Sequence, residues 1–162
     1  LSQSNLKKEI KQRGVDPKRL IFGERLARAE YLARYRVADL FLDTHPYNAG
    51  TTASDALKMG LPILTMKGES YQARMGSSIV NAVNLPELIT NSQEDYESLA
   101  IELATNPDKL RVIKEKLAGN LTKAPLYDTK LFVKNIESAY TQMYERHHKG
   151  LEPDHIYISI PK

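Results

Sequence analysis

The apolar positions in the first 90 residues alternate between short continuous runs and longer stretches with helical spacing. Runs typical of buried strands occupy residues 20–22, 40–42 and 62–66. Helical spacing is found over residues 6–13, 24–37 and 72–83, and again from Thr51 onward. Because strands alternate with helices, the pattern predicts an α/β protein with a parallel sheet and flanking helices.

After Ile89 the apolar positions follow helical spacing alone, which predicts a helical second half. Asp95 follows Ser92 by three residues, as in an N-cap, and Pro107 is placed to start another helix. A long last helix is marked by Phe132, Ile136, Tyr140 and Met143. We predict a single domain over residues 1–162, made of an α/β part (1–90), a helical part (91–150) and a tail (151–162).

The segment between the second and third apolar runs combines features of a ligand site. Small residues at positions 48–52 let backbone N–H groups approach a ligand, and Thr51 and Thr52 begin a helix. An anion there meets unpaired amides, the positive end of the helix dipole and two hydroxyl donors. Asp55, on the same side of the helix, can accept hydrogen bonds from a sugar diol. Thr52 and Asp55 also fit a capping box, which stabilises many helices that bind no ligand.

The same segment resembles the nucleotide-sugar signature of GT-B glycosyltransferases, in which an acidic residue on a helix precedes a Gly-x-Pro turn, here Gly60-Leu61-Pro62. The flanking sequences narrow the resemblance to the C-terminal part of O-linked N-acetylglucosamine transferases, the SPINDLY-like family. The similar stretches lie at residues 19–22, 38–44, 48–55, 65–74, 85–89, 125–130, 140–145 and 153–156. The resemblance therefore covers most of the chain from Leu20 onward.

This resemblance implies the Rossmann-like C-terminal half of a GT-B fold. It also implies transfer of N-acetylglucosamine from its UDP donor (UDP-GlcNAc) to Ser or Thr of proteins, with the acidic residue holding the ribose hydroxyls. The UDP-sugar-binding residues that it implies are Ala27, Arg28, Tyr31, Arg34, Gly50, Thr51, Thr52 and Asp55. The catalytic residues stay unassigned, and the metal-independent chemistry of the family implies no cofactor beside the donor substrate.

Three positions depart from the better-known members of the family. Arg28 stands in place of Lys, and Tyr31 and Gly50 each stand in place of His. Arg keeps the cation and adds a bidentate phosphate fork, whereas Tyr does not change protonation near pH 7. Solvated arginines beside a Tyr packed on the sheet would give the same spacing. Two alternatives stay open: a glycosyltransferase for another sugar or acceptor, and a non-catalytic nucleotide-binding or protein-docking module.

The length of 162 residues allows one compact core, whereas a GT-B enzyme needs two Rossmann-like domains. We therefore expect the chain, which starts at Leu1, to be a C-terminal piece that is inactive alone. The expected partners are an upstream catalytic domain, TPR repeats, a nucleotide sugar and an acceptor protein.

Charge and composition exclude several other partners. The 23 cationic and 20 anionic residues are interspersed, with a net charge of +3, and no basic tract suggests nucleic acid. The absence of Cys excludes disulfides and fits a cytoplasmic location. No apolar run reaches membrane-spanning length, so no membrane partner is expected. His45 is predicted at the cleft or in a strand-end turn, and His147 and His148 beside a helix dipole rather than on a metal.

Overall fold

The computed structural model describes residues 2–158 of the chain. In chain order, the helices and strands are α1 (Ser2–Gln12), α2 (Arg28–Arg34), β1 (Phe41–Leu42), α3 (Thr51–Lys58), β2 (Ile63–Met66), α4 (Tyr71–Ala82), β3 (Ile89–Thr90), α5 (Gln93–Thr105), α6 (Pro107–Leu121) and α7 (Thr129–His148). Strands thus alternate with helices up to β3, and only helices follow.

The strands within residues 2–158 form one parallel sheet in the order β1-β2-β3. Phe41 pairs with Ile63 in the first ladder, and Thr65 pairs with Ile89 in the second. Helix α3 connects β1 to β2, and α4 connects β2 to β3, as parallel neighbours require a crossover. The predicted α/β class, with a parallel sheet and flanking helices, is confirmed.

The structure differs from the sequence prediction at three elements. The strand predicted at residues 20–22 is wrong: this stretch pairs with no strand in the described part of the chain, and Ile21 is 90% exposed. An apolar run becomes a strand only where a neighbour accepts its backbone hydrogen bonds. Conversely, the apolar pattern does not predict β3, because a strand of two residues is too short to show the alternation of apolar and polar positions. Helix α2 begins at Arg28 rather than near residue 24, and a 3₁₀ turn follows it.

The core lies between the sheet and the helices α3 to α6. Its largest fully buried side chains include Leu57 on α3, Ile63 on β2, Val80 on α4, Leu103 on α5 and Leu117 on α6. Burial of one such side chain contributes roughly 1.5–3 kcal/mol. The core therefore holds α3, which carries the predicted site, against the sheet.

Local capping fixes the starts of the helices after the sheet. The Ser92 hydroxyl accepts a bond from the Asp95 amide at 3.1 Å and donates to the Asp95 carboxylate at 2.8 Å. The Asn106 side chain accepts from the Lys109 amide at 3.0 Å, with Pro107 in the first turn. Both predicted helix starts are confirmed.

Helix α7 leaves part of its apolar face uncovered. Phe132 is 64% exposed and Tyr140 is 60% exposed, and Met143 is exposed as well. Within residues 2–158, no helix has the length and hydropathy needed to cross a membrane.

Candidate functional site

The start of α3 lies beyond the carboxyl end of β1 and is open to solvent. Gly50 is the N-cap residue, and no side chain in the described part of the chain caps the helix. The Ser54 amide makes the first bond of the helix, to the Gly50 carbonyl at 3.0 Å. The amides of residues 51–53 precede this bond, and Thr51 and Thr52 are exposed. This helix start can therefore accept an anion.

The capping box considered for Thr52 and Asp55 is wrong. Thr52 is the second residue of α3, inside the helix, so it does not occupy the N-cap position. The Asp55 carboxylate is directed instead to Arg28, at the start of α2. Neither side chain is used to close the helix start.

A buried carboxylate holds the loop that leads from β1 to α3. Asp43 is 6% exposed and directly follows β1. Its Oδ1 accepts bonds from the amides of Thr44 at 2.9 Å and Ala49 at 2.8 Å, and its Oδ2 accepts from the Thr65 hydroxyl at 2.8 Å. One side chain thus joins both ends of the loop to β2.

Asn48 holds the same loop from its middle. Its Nδ2 donates to the Thr44 carbonyl at 2.7 Å, and its Oδ1 accepts from the Gly76 amide on α4 at 3.4 Å. A Cβ atom at Gly76 would collide with the Thr65 hydroxyl and the Asp43 carboxylate. A glycine at this position therefore allows α4 to pack on the loop and its carboxylate.

Arg28 and Asp55 form a bidentate ion pair across the site. Nη1 of Arg28 lies 2.8 Å from Oδ2 of Asp55, and Nη2 lies 2.8 Å from Oδ1. The Asp55 side chain is only 10% exposed, whereas the Arg28 side chain is 63% exposed. The hydrogen bonds that Arg28 donates to this carboxylate raise the pKa of its guanidinium above its ordinary value. The pair joins α2 to α3 at the position predicted to bind a ribose.

Two tyrosines complete the surface between α2 and α3. The Tyr31 ring lies 5.7 Å from the Arg28 guanidinium and 5.9 Å from that of Arg34. The hydroxyls of Tyr31 and Tyr35 are 2.5 Å apart, and Tyr35 donates to the Thr52 carbonyl at 3.3 Å. Burial, followed by the bond with Tyr31, raises the pKa of the Tyr35 phenol far above its ordinary value.

The structure brings together most, but not all, of the residues predicted from the resemblance. Arg28 contacts Asp55, and Tyr31 is linked to Thr52 through Tyr35. Arg34 lies beside the Tyr31 ring, but its guanidinium donates to the Glu24 carbonyl at 3.0 Å, on the segment before α2. Ala27 is the N-cap residue of α2, without a side-chain bond, and Gly50 is the N-cap residue of α3.

Sequence reasoning left four contributing side chains out of the site. Asp43 and Asn48 support the loop, Tyr35 binds the Thr52 carbonyl, and Tyr127 donates to the Ser54 carbonyl at 2.7 Å. The sequence indicates these roles only weakly: Asp43 directly follows an apolar run, and Tyr35 lies four residues after Tyr31, which puts both tyrosines on one helix face.

The histidines lie in the two environments considered for them. His45 lines a cleft of about 310 Å³ at the carboxyl end of the sheet, together with Met66 and Tyr96. His147 and His148 lie in the last turn of α7. Among the residues that the structure describes, no group of three or more His, Cys, Asp or Glu is arranged to hold a metal ion.

The parallel sheet, with a loop and an open helix start at its carboxyl edge, defines a Rossmann-like α/β protein. Comparison with known sequences narrows this class. The chain belongs to glycosyl transferase family 41, which matches residues 1–136.

Individual relatives agree with this family. The chain is 34% identical over 154 residues, 95% of its length, to a UDP-N-acetylglucosamine–peptide N-acetylglucosaminyltransferase of Caenorhabditis elegans. It is 36% identical over 146 residues, 90% of its length, to the probable Arabidopsis thaliana enzyme of the same type named SEC. A solved structure of an O-GlcNAc transferase mutant from Thermobaculum terrenum superposes on 88% of the chain, with a TM-score of 0.81 and 33% identity.

These relatives are much longer than the chain. The chain spans 13% of the Caenorhabditis elegans protein, 15% of the Arabidopsis thaliana protein and 27% of the solved Thermobaculum terrenum chain. The chain is therefore similar to one part of each relative.

Proposed function

We propose that this chain is the nucleotide-binding C-terminal part of an enzyme that transfers N-acetylglucosamine from UDP-GlcNAc to Ser or Thr of proteins. The observation that carries the proposal is the uncapped start of α3, where exposed Thr51 and Thr52 lie one turn before Asp55. Two relatives whose names specify this donor sugar and a peptide acceptor support the substrate classes.

The diphosphate of the donor binds at the start of α3 in this proposal. The amides of residues 51–53 point toward it, and the hydroxyls of Thr51 and Thr52 add two donors. Favourable placement of an anion at a helix start contributes about 0.3–1 kcal/mol at an exposed site. The loop beneath is held by Asp43 and Asn48, so these donors keep their positions before the ligand arrives.

The ribose binds next to the diphosphate, on Asp55. Thr51 and Asp55 are four residues apart on one helix face, which is about 6 Å along the axis. A carboxylate that accepts bonds from two ribose hydroxyls contributes about 1.5–3 kcal/mol for each bond to the charged group. Asp55 is nearly buried, so these bonds form with little competition from water.

The chain's contribution to the reaction is electrostatic. Negative charge grows on the diphosphate as its bond to the sugar breaks. Amides at the start of α3, the two Thr hydroxyls and the Arg28 guanidinium stabilise this charge more in the transition state than in the ground state. Tyr31 replaces an imidazole of the family, so we assign no proton transfer to this position.

The acceptor contacts and the opposite wall of the sugar pocket come from an upstream catalytic domain. The chain spans only 13–15% of its curated relatives, which leaves room for such a domain and for repeats. In this proposal the exposed apolar face of α7, at Phe132 and Tyr140, contacts that domain. No metal takes part in this proposal, and a cytoplasmic location remains a prediction.

Titration of the chain with UDP tests the proposal. We expect saturable binding that UDP-GlcNAc competes away, and we expect Asp55→Asn to weaken it, because Asn offers one acceptor instead of two. Asp108→Asn, at an exposed carboxylate on α6, is the matched control and should keep wild-type affinity. A flat titration in a folded protein would contradict nucleotide binding and favour the protein-docking alternative.

A further inference from the structure

The first turn of α3 carries no large apolar side chain that could hold it against the core. Residues 51–54 are Thr, Thr, Ala and Ser, and Ala53 is the one among them that is fully buried. Leu57, which is large and fully buried, lies one turn after Ala53. Burial of a single methyl group stabilises much less than burial of Leu. The position of this turn therefore depends on contacts of another kind.

Two tyrosine hydroxyls bind this turn from different parts of the chain. Tyr35, in the 3₁₀ turn after α2, donates to the Thr52 carbonyl at 3.3 Å. Tyr127, in the 3₁₀ turn between α6 and α7, donates to the Ser54 carbonyl at 2.7 Å. Both rings are half-buried and pack against the hydrophobic core, which holds their hydroxyls in place. The turn is thus tied to the core through two phenols.

Both phenols act as donors to α3. A phenol carries one proton. Because Tyr35 donates its proton to Thr52, Tyr31 is the donor in the bond between the two tyrosine hydroxyls, which are 2.5 Å apart. Burial raises the pKa of the Tyr127 phenol above its ordinary value, so this phenol keeps its proton near neutral pH.

We infer that Tyr35 and Tyr127 are positioning residues, which fix the first turn of α3 where its donors meet the leaving diphosphate. The inference rests on the proposed function, because it concerns how the same helix start is held. Both residues act through α3 and not through the ligand. Donors of this kind must stay within about 0.5 Å of their productive places, and a displacement of about 1 Å costs on the order of a hundredfold in rate.

Removal of either hydroxyl should lower kcat more than it lowers UDP affinity. Tyr35→Phe and Tyr127→Phe each keep the ring and remove one bond to α3. Bonds to the diphosphate strengthen as it gains charge, so displaced donors lose more in the transition state than in the ground state. We expect kcat at saturating donor to fall about fivefold in each variant, the rate equivalent of one ordinary hydrogen bond, and further when both are combined. The Kd of UDP should rise less than about twofold in each.

A double-mutant cycle separates positioning from stability alone. In a Thr51→Ala and Thr52→Ala background, the tyrosines have fewer donors to position. Tyr35→Phe should therefore lower kcat by a smaller factor there than in the wild type. A role in stability alone would leave kcat of the folded enzyme unchanged in both backgrounds.

The measurements use the full-length protein. The rate of labelled N-acetylglucosamine incorporation into protein gives kcat, calorimetric titration gives the Kd of UDP, and circular dichroism establishes that each variant is folded. Tyr157→Phe is the matched control, because it removes a phenol that is 83% exposed in the tail, and it should keep both wild-type values. If one of the two test variants does not fold, the other carries the same test.

The outcomes separate this inference from the proposed function. A fall in kcat that exceeds the loss of UDP affinity, and that shrinks in the background without the two Thr hydroxyls, supports the inference. An unchanged kcat, an equal loss of UDP affinity or an equal factor in both backgrounds overturns it and leaves the proposed function standing. A wild-type protein that neither binds UDP nor transfers N-acetylglucosamine overturns both.

Discussion

Replacement of Asp43 by Ala tests whether the loop before α3 is held by one buried carboxylate. The variant removes the acceptor for the amides of Thr44 and Ala49 and for the Thr65 hydroxyl. The bond that Tyr96 donates to the Asp43 backbone carbonyl remains, because the substitution does not touch the backbone. The effect is therefore confined to the loop and its bond to β2.

The size of the effect follows from these three donors. A buried donor left without a partner costs about 1–3 kcal/mol, and water reaching the exposed Thr44 recovers part of the loss. We expect Asp43→Ala to lower the free energy of unfolding by about 2–4 kcal/mol. Asp43→Asn is the matched control: its oxygen can still accept both amides, and the Thr65 hydroxyl can rotate to accept from its nitrogen, so about 1 kcal/mol is expected.

Urea unfolding followed by circular dichroism measures both variants, and UDP titration shows whether the start of α3 has moved. Weaker UDP binding should accompany the loss of stability in Asp43→Ala. If its free energy of unfolding stays within about 0.5 kcal/mol of the wild type, the range of an ordinary surface substitution, the reasoning about the loop is refuted.

Three further predictions concern the scaffold. Burial, reinforced by the nearby Asp43 charge, raises the pKa of Tyr96 to about 12 in the folded protein. As the pH rises, Tyr96 therefore loses its proton in the unfolded chain before it does so in the folded protein. The free energy of unfolding should therefore fall between about pH 10 and pH 12. Urea midpoints measured over this range should fall less steeply in Tyr96→Phe; the same pH dependence in the variant and the wild type would contradict the prediction. Asn106→Ala removes the cap of α6 and should cost about 1 kcal/mol in urea unfolding; no loss would exclude a capping role. Leu117→Ala should cost about 2–5 kcal/mol in the same assay, since Leu117 is fully buried, and a loss below 1 kcal/mol would argue against close packing there.

Local sequence patterns predicted those parts of the fold that depend on neighbouring residues. The runs at residues 40–42 and 62–66 identified β1 and β2, and Ser92 and Asn106 identified two helix starts. Periodicity and capping act over a few residues, so the sequence shows them directly. The run at residues 20–22 has the same apolar character, but its pairing depends on a distant strand, which no local pattern reveals.

The sequence predicted individual residues of the candidate site but not the contacts between them. Thr51, Thr52 and Asp55 came from the helix start and the resemblance, and the structure places them on α3 as expected. The ion pair between Arg28 and Asp55 joins residues 27 positions apart, so it depends on how α2 packs against α3. The burial of Asp43 likewise depends on β2 and α4, and in the sequence it is only a polar residue after a strand.

The turnover of a full-length double mutant tests whether the start of α3 stabilises the leaving diphosphate. Thr51→Ala with Thr52→Ala removes the two hydroxyl donors at the start of α3, while both residues stay exposed and α3 keeps its backbone. The measurement is the rate of labelled N-acetylglucosamine incorporation into protein at saturating donor. We expect kcat to fall, because these bonds strengthen as the diphosphate gains charge; loss of one such donor costs on the order of a hundredfold in other oxyanion sites. A wild-type kcat in the folded double mutant would contradict stabilisation of the leaving group and leave the start of α3 as a structural feature only.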